Sequence, residues 1–431
     1  HSLRIFALLV PKGGKLMKQK IARKILTVTS MLLSGVMVTA TVICNENATA
    51  ISSALNVKTF DVVETGDTNQ DSEYYKSNFD NLTDLINAGH SKATEVLEEG
   101  AVLLKNENGA LPLSKGSKVS LLGVTAYDPV YGGTGSGNIS TSEATDFCKS
   151  LQDAGLEINP VLTKQYTSED WAQYKRRNAG SYSTSRLLIN EAPWSVVDAA
   201  AGDSLAQYGD AAIFVVGRVG GEGYDLLGIT EDGIDDHDGL GKDYLGLNAN
   251  EWSVLQGLKE KKAAGEISRI VVLINYSSMI EGDFLNDPDI DAALWVGALG
   301  VGNEATGKLL TGEVSPSGRL PDTMWVDNAK NPVNANFGSW VYENAGEYGI
   351  STEKPKTETD PEKNGGYSTS DITLSSYVVY QEGMYMGYRY TETRYEDYVL
   401  GTANVGEYNY DEVVARPFGY GLSYADFDLS D

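Results

Sequence analysis

This 431-residue chain has little histidine, little cysteine and a shortage of positive charge. Its three histidines, His1, His90 and His237, are too few for a His-rich metal site or a Ser-His-Asp triad, so any chemistry falls to carboxylates. Its two cysteines, Cys44 and Cys148, exclude an internal disulfide framework, because the first lies in or just after an apolar N-terminal run. Lys plus Arg total 34 against 60 Asp plus Glu, and the net charge of -26 argues against nucleic acid and anionic lipid surfaces as partners. A neutral or cationic ligand fits better. What the chain has in plenty is Tyr (25) and Gly (46), which suit loops that stack on flat ligand faces while donating hydrogen bonds, as sugars require. The length leaves room for one large domain or two ordinary ones with extensions.

From Met17 the chain reads as a basic segment (Lys18, Lys20, Arg23, Lys24), an apolar run from Ile25 to Ile43, and Ala48-Thr49-Ala50. That is the layout of a signal peptide with an A-x-A cleavage site. The run is also about as long as the ~20 residues that span a bilayer, so membrane anchoring by residues 25–43 is the alternative. Either way the remainder is expected outside the cytoplasm, secreted or held at the cell surface. Residues 1–16 precede a start Met and stand apart from the fold. Cys44 follows Thr-Val-Ile, which does not suit lipid attachment.

Residues 51–90 form a polar linker. Asp67-Thr-Asn-Gln-Asp71 invites a calcium-loop reading, but Ser72 stands where such a loop needs Gly and Asn78 where it needs Glu. Short apolar runs at Val119–Leu122, Ala212–Val216, Ile270–Ile274 and Ala292–Val296 predict strands. One helix is expected to bury Ala144, Phe147, Cys148, Leu151 and Ala154, with Gly155 as its C′ residue. Another starts at Asn248, capped with Glu251, and buries Trp252, Leu255 and Leu258. Apolar strands alternating with helices predict an α/β fold, a mostly parallel sheet covered by helices on both faces, with ligands at the carboxyl ends of the strands.

Two glycine-rich loops lie at such ends. The first, Tyr131-Gly-Gly-Thr-Gly135-Ser136-Gly137-Asn138, lets a backbone approach a ligand closely and offers the Ser136 hydroxyl. By itself it reads first as a surface turn, and as a phosphate cradle it lacks the Gly-Lys-Ser/Thr ending and a basic residue. The second is Gly217-Arg-Val-Gly-Gly221-Glu222-Gly223-Tyr224-Asp225. A carboxyl between glycines there is either a solvated surface group or an acid in a cleft, its pKa raised by Tyr224 and the apolar strand end. The acidic run from Glu231 to Asp238, with His237, reads as a solvated loop.

Ala101-Val-Leu-Leu-Lys-Asn106 with Leu111-Pro-Leu113, Gly132-Gly-Thr-Gly-Ser-Gly137, Gly221-Glu-Gly-Tyr-Asp225 and Ser315-Pro-Ser-Gly-Arg-Leu-Pro321 follow one another in an order that resembles the C-terminal α/β sandwich domain of glycoside hydrolase family three. Pro417-Phe-Gly-Tyr-Gly-Leu-Ser-Tyr424 resembles the segment leading into that family's fibronectin type III-like domain. The resemblance implies an upstream and signal region at 1–50, a linker at 51–90, the sandwich at 91–330, an irregular extension at 331–416, and the first strand of a truncated fibronectin-like domain at 417–431. It implies that Glu222 is the catalytic acid/base, with Ser136, Gly135 and Tyr224 at the sugar, no metal and no cofactor. It also implies a (β/α)8 barrel of roughly 200 to 300 residues as partner and source of the nucleophile, which this stretch of sequence does not supply. Export directly ahead of the sandwich fits members whose barrel comes last. Leu226 stands where the family often has Arg.

The expected function is therefore part of a retaining β-glycosidase acting on β-linked glucosides or oligosaccharides. A non-catalytic carbohydrate-binding module and a cell-surface structural domain are the other two classes. If the export layout is read correctly, N-terminal sequencing of secreted material starts near Ile51; recovery only from membranes, with residues 25–43 intact, supports the anchor instead.

Overall fold

The computed structural model describes residues 16–48, 78–179, 186–188, 190–222, 229–230, 233–234, 244–336, 343–348, 380–402 and 406–425, in two units, His1–Asn78 and Phe79–Asp431. The first unit holds a helix, Leu16–Glu46. Its segment Arg23–Asn45 is long and apolar enough to cross a membrane, since 23 residues of helix extend about 35 Å. The calcium-like stretch at 67–71 lies outside the described residues.

The second unit is built on six strands: β1 (Val102–Asn106), β2 (Lys118–Leu122), β3 (Glu157–Ile158), β4 (Ala211–Gly217), β5 (Ile270–Asn275) and β6 (Ala292–Trp295). Their order across the sheet is β1-β6-β5-β4-β2-β3, with β1 antiparallel to β6 and every other pair parallel. Side chains alternate between two buried faces, so the central strands read as unbroken apolar runs. Ala212, Phe214 and Val216 pack on one face with α5 (Trp194–Leu205) and α6 (Ala249–Ala263). Ile213 and Val215 pack on the other with α3 (Phe147–Asp153) and α7 (Glu304–Thr311). Helices α1 (Leu82–Gly100), α2 (Val124–Tyr127) and α4 (Pro160–Thr167) complete the layers.

The expected strands and the mostly parallel, two-sided sheet are present. β1 and β3 are additions that periodicity does not reveal, one ending in Lys105 and Asn106, the other only two residues long. Helix α3 starts at Phe147, because Asp146 caps it by accepting from the Lys149 amide at 2.7 Å, so Ala144 lies outside it and Ala154 is its C-cap. Cys148 is half-buried, packed beside the core and not inside it, and burial pushes its thiol up to about 11. Trp252 is likewise half-buried, while Val254 takes the interior position on α6. Leu422 bridges to Leu103 of β1, and the Tyr424 hydroxyl donates to the Leu309 carbonyl at 2.9 Å, so the stretch around 422–424 packs onto the sandwich.

The order β3-β2-β4-β5-β6 is doubly wound. The chain leaves β2 toward β3 on one side and leaves β4 toward β5 on the other, which opens a crevice at the carboxyl ends of β2 and β4. Two buried carboxylates fix the turns there. Arg218, just past β4, is 1% exposed and donates all five N–H groups: to the carbonyls of Tyr244, Gly217 and Gly246, and to both oxygens of Glu251 at 2.8 and 2.7 Å. Burial works against the guanidinium charge, and Glu251 more than restores it. Glu251 also closes the capping box of α6, accepting from the Asn248 amide at 2.8 Å. Glu191 lies beneath the end of β2 and accepts from the amides of Val124 and Ala192 and from the Tyr166 hydroxyl. Burial pushes this carboxyl up to about 8.

Glu251→Leu leaves a buried guanidinium unpaired and is expected to cost about 3–5 kcal/mol in urea unfolding, with the double change Arg218→Met/Glu251→Leu recovering part of the loss. Glu191 has the opposite sign from a surface carboxylate. Its folded pKa lies above its ordinary 4.5, so its stabilising contribution is complete below that pH and is lost as pH rises to about 8. The melting temperature should fall across that window, and Glu191→Gln should flatten the decline.

Candidate active site

The first loop leaves β2 and is held from the ends of β5 and β6. Asn275, the last residue of β5, accepts from the Val130 amide at 2.7 Å and donates to the Val130 carbonyl at 3.0 Å. The Leu299 amide donates to that same carbonyl, and the Gly300 amide to the Tyr131 carbonyl. The second loop leaves β4 through Arg218, and Val219 is gripped at both its amide and its carbonyl by the Tyr244 hydroxyl. What remains free to shape itself is the tip of each loop.

The two tips meet. Thr134 pairs with Gly221 in a parallel bridge, and the Thr134 hydroxyl donates to the Glu222 carbonyl at 3.0 Å. A tight turn over Gly135–Gly137 then brings Ser136 back onto the Glu222 side chain. Its amide donates to Oε2 at 2.8 Å and its hydroxyl donates to the same oxygen at 2.6 Å. Glycine is required at two points of this approach. A Cβ on Gly135, whose φ is 62°, would lie 2.6 Å from the Glu222 Cβ and Oε2. A Cβ on Gly221, at φ 148°, would lie 2.5 Å from the Thr134 amide.

Glu222 and Ser136 are both exposed, so a ligand carried by another body can reach them. The Ser136 hydroxyl, followed by its amide, holds the Glu222 carboxyl below the usual glutamate range. The rise expected from the apolar strand end is not seen in this domain, since hydrogen bonds to the charged form here outweigh desolvation. Tyr224, Asp225, Leu226 and His237 lie outside the described residues. Sequence reasoning singled out Glu222, Ser136 and Gly135, and the structure brings these three together. It missed Thr134 as a clamp, and Arg218, Tyr244 and Asn275 as anchors. Only Glu251 carried a visible signal, through its capping box, and nothing in the sequence ties it to Arg218. The phosphate-cradle reading loses its main support, because the Ser136 amide is already donated to a carboxylate.

Comparison with known proteins bears on the family and the fold. Residues 101–388 match the model of the glycosyl hydrolase family 3 C-terminal domain. Among curated proteins, a beta-glucosidase of Ruminococcus albus is 29% identical over 346 residues, covering 79% of this chain and 28% of that protein. Beta-glucosidase A of Butyrivibrio fibrisolvens is 30% identical over 357 residues, covering 77% and 34%. Among solved structures, beta-glucosidase 3B from Thermotoga neapolitana in complex with glucose superposes with a TM-score of 0.54 at 28% identity, covering 80% of this chain and 39% of that one. The chain thus spans about a third of the length of the relatives it matches. With a doubly wound sheet, two interlocked glycine-rich loops at its switch point and a family match from 101 to 388, this chain belongs to glycosyl hydrolase family 3, whose C-terminal domain it carries.

Proposed function

We propose that this chain supplies the general acid/base, Glu222, of a retaining β-glycosidase acting on β-glucosides, in a site completed by a (β/α)8 barrel. The observation that carries the reading is the joining of Glu222 and Ser136 from two loops at the carboxyl edge of the sheet, both open to solvent. A carboxyl so presented can approach a glycosidic oxygen held by a facing domain. In the proposed reaction Glu222 protonates the leaving oxygen while a barrel carboxylate about 5 Å away attacks the anomeric carbon, and Glu222 then deprotonates the water that releases the sugar. Ser136, Gly135 and Tyr224 contact the bound sugar. Barrel docking buries Glu222 in a cleft and shifts its pKa toward the working pH. The N-terminal helix serves as export signal or anchor, residues 51–90 as a linker, 331–416 as an extension of the sandwich, and 417–431 as the approach to a fibronectin-like domain.

One observation favours a non-catalytic sugar-binding role, namely the two Ser136 donors on Oε2, which hold the Glu222 carboxyl below the usual glutamate range. The two readings separate in an enzyme completed by fusion to a barrel. Glu222→Gln should lower turnover by about 10² to 10⁴ on substrates with poor leaving groups. Loss in the first step should be much smaller when the leaving group departs unprotonated, and azide should restore turnover by attacking the glycosyl-enzyme without base assistance. Equal loss on both substrate types, with no azide rescue and an intact circular dichroism spectrum, removes Glu222 from the role.

A further inference from the structure

We propose that Ser136 is a positioning residue that sets the protonation state of Glu222, holding it as a carboxylate until a sugar hydroxyl takes the Ser136 hydroxyl away. This rests on the acid/base role proposed for Glu222. A general acid must carry a proton, yet both donors of Ser136 converge on one oxygen of this carboxyl, Oε2. Among the described residues nothing donates to Oε1, so that is the oxygen a proton can join. The main chain of Glu222 is held separately, by the Thr134 hydroxyl and the Thr134–Gly221 bridge. Glu222 therefore keeps its place when its side chain is released.

Among the described residues few charged groups surround Glu222, and Tyr224 and Asp225, on its own loop, lie outside those residues. Ser136 and slight desolvation are what act on Glu222. On the facing loop the titratable groups are Asp128, Tyr131, Glu143 and Asp146; Tyr131 is pushed up to about 12 by burial, Asp146 and Asp128, and stays neutral. On its own loop Arg218 is consumed by Glu251. When the Ser136 hydroxyl turns to a sugar, Oε2 keeps only the amide donor, the carboxylate is less favoured, and Glu222 takes up a proton from solvent. Arrival of substrate would then arm the acid, and departure of product would reset it.

The full chain, labelled with glutamate carrying ¹³C at its side-chain carboxyl, tests this by NMR titration, the Glu222 signal being the one absent in Glu222→Gln. The wild-type midpoint is expected below the ordinary glutamate range. Ser136→Ala, which keeps the amide, should move it upward, and Ser136→Thr, which keeps a hydroxyl, should return it. In the barrel-completed enzyme, Ser136→Ala should move the alkaline limb of kcat/KM upward, because that limb reports the free enzyme, and leave the limb of kcat in place. An unchanged midpoint in Ser136→Ala, or equal displacement of both limbs, overturns the proposal. Failure of the acid/base reading is seen separately, in the leaving-group and azide behaviour of Glu222→Gln.

Discussion

The ion pair between Arg218 and Glu251 is the constraint on which the site depends. The last pairs of β4 with β5 carry the chain to Gly217, and the next side chain turns inward instead of out to solvent. A buried guanidinium is tolerable only when every donor is used, and here all five are. Three of its acceptors are carbonyls at 217, 244 and 246, so the same side chain also fixes the return of the chain toward α6. Glu251 is held in turn as the N3 residue of that helix. Strand end, loop root and helix start therefore form one rigid unit, and Glu222 extends from it by only four residues.

The opposite loop is rooted by a different device. Asn275 is fully buried and offers an acceptor and a donor to Val130, the pattern a neighbouring strand would present. Each loop is thus tied at its base to buried polar groups and meets the other at its glycine-rich tip. The division of labour is physical. Buried hydrogen bonds are expensive to break and set position, whereas the exposed contact of Ser136 with Glu222 exchanges readily with water or a sugar hydroxyl. In the role proposed for Glu222, the group that changes protonation lies on the exchangeable side of that division.

The C-terminal part of the described chain closes the sheet's free edge. β1 is antiparallel to β6 on one side, and on the other Leu422 donates its amide to the Leu103 carbonyl at 2.8 Å. Arg416 adds a bond from Nε to the Leu104 carbonyl, and residues 414–416 pair with Met324–Trp325. An edge strand covered in this way offers fewer free amides to another chain. The Pro417–Tyr424 motif therefore has a packing role on this domain, whatever follows it.

The sequence by itself determined four of the sheet's six strands, because short runs rich in Val, Ile and Leu with no polar face, alternating with helices, read as strands buried on both sides. It also determined where reactive groups must be sought, because a chain nearly without histidine and cysteine leaves carboxylates, and glycines mark where backbones come close. The two-residue strand β3, the inward turn of Arg218 and the clamp from Thr134 were decided only by the tertiary structure. Each of them is a pairing between residues far apart in the chain that satisfies a buried or facing polar group, and no local pattern records such a partner. The acidity of Glu222 belongs to the same class. Local surroundings left open a solvated carboxyl or one raised in a cleft, and the fold, by setting Ser136 against Oε2 from 86 residues away, lowers it instead.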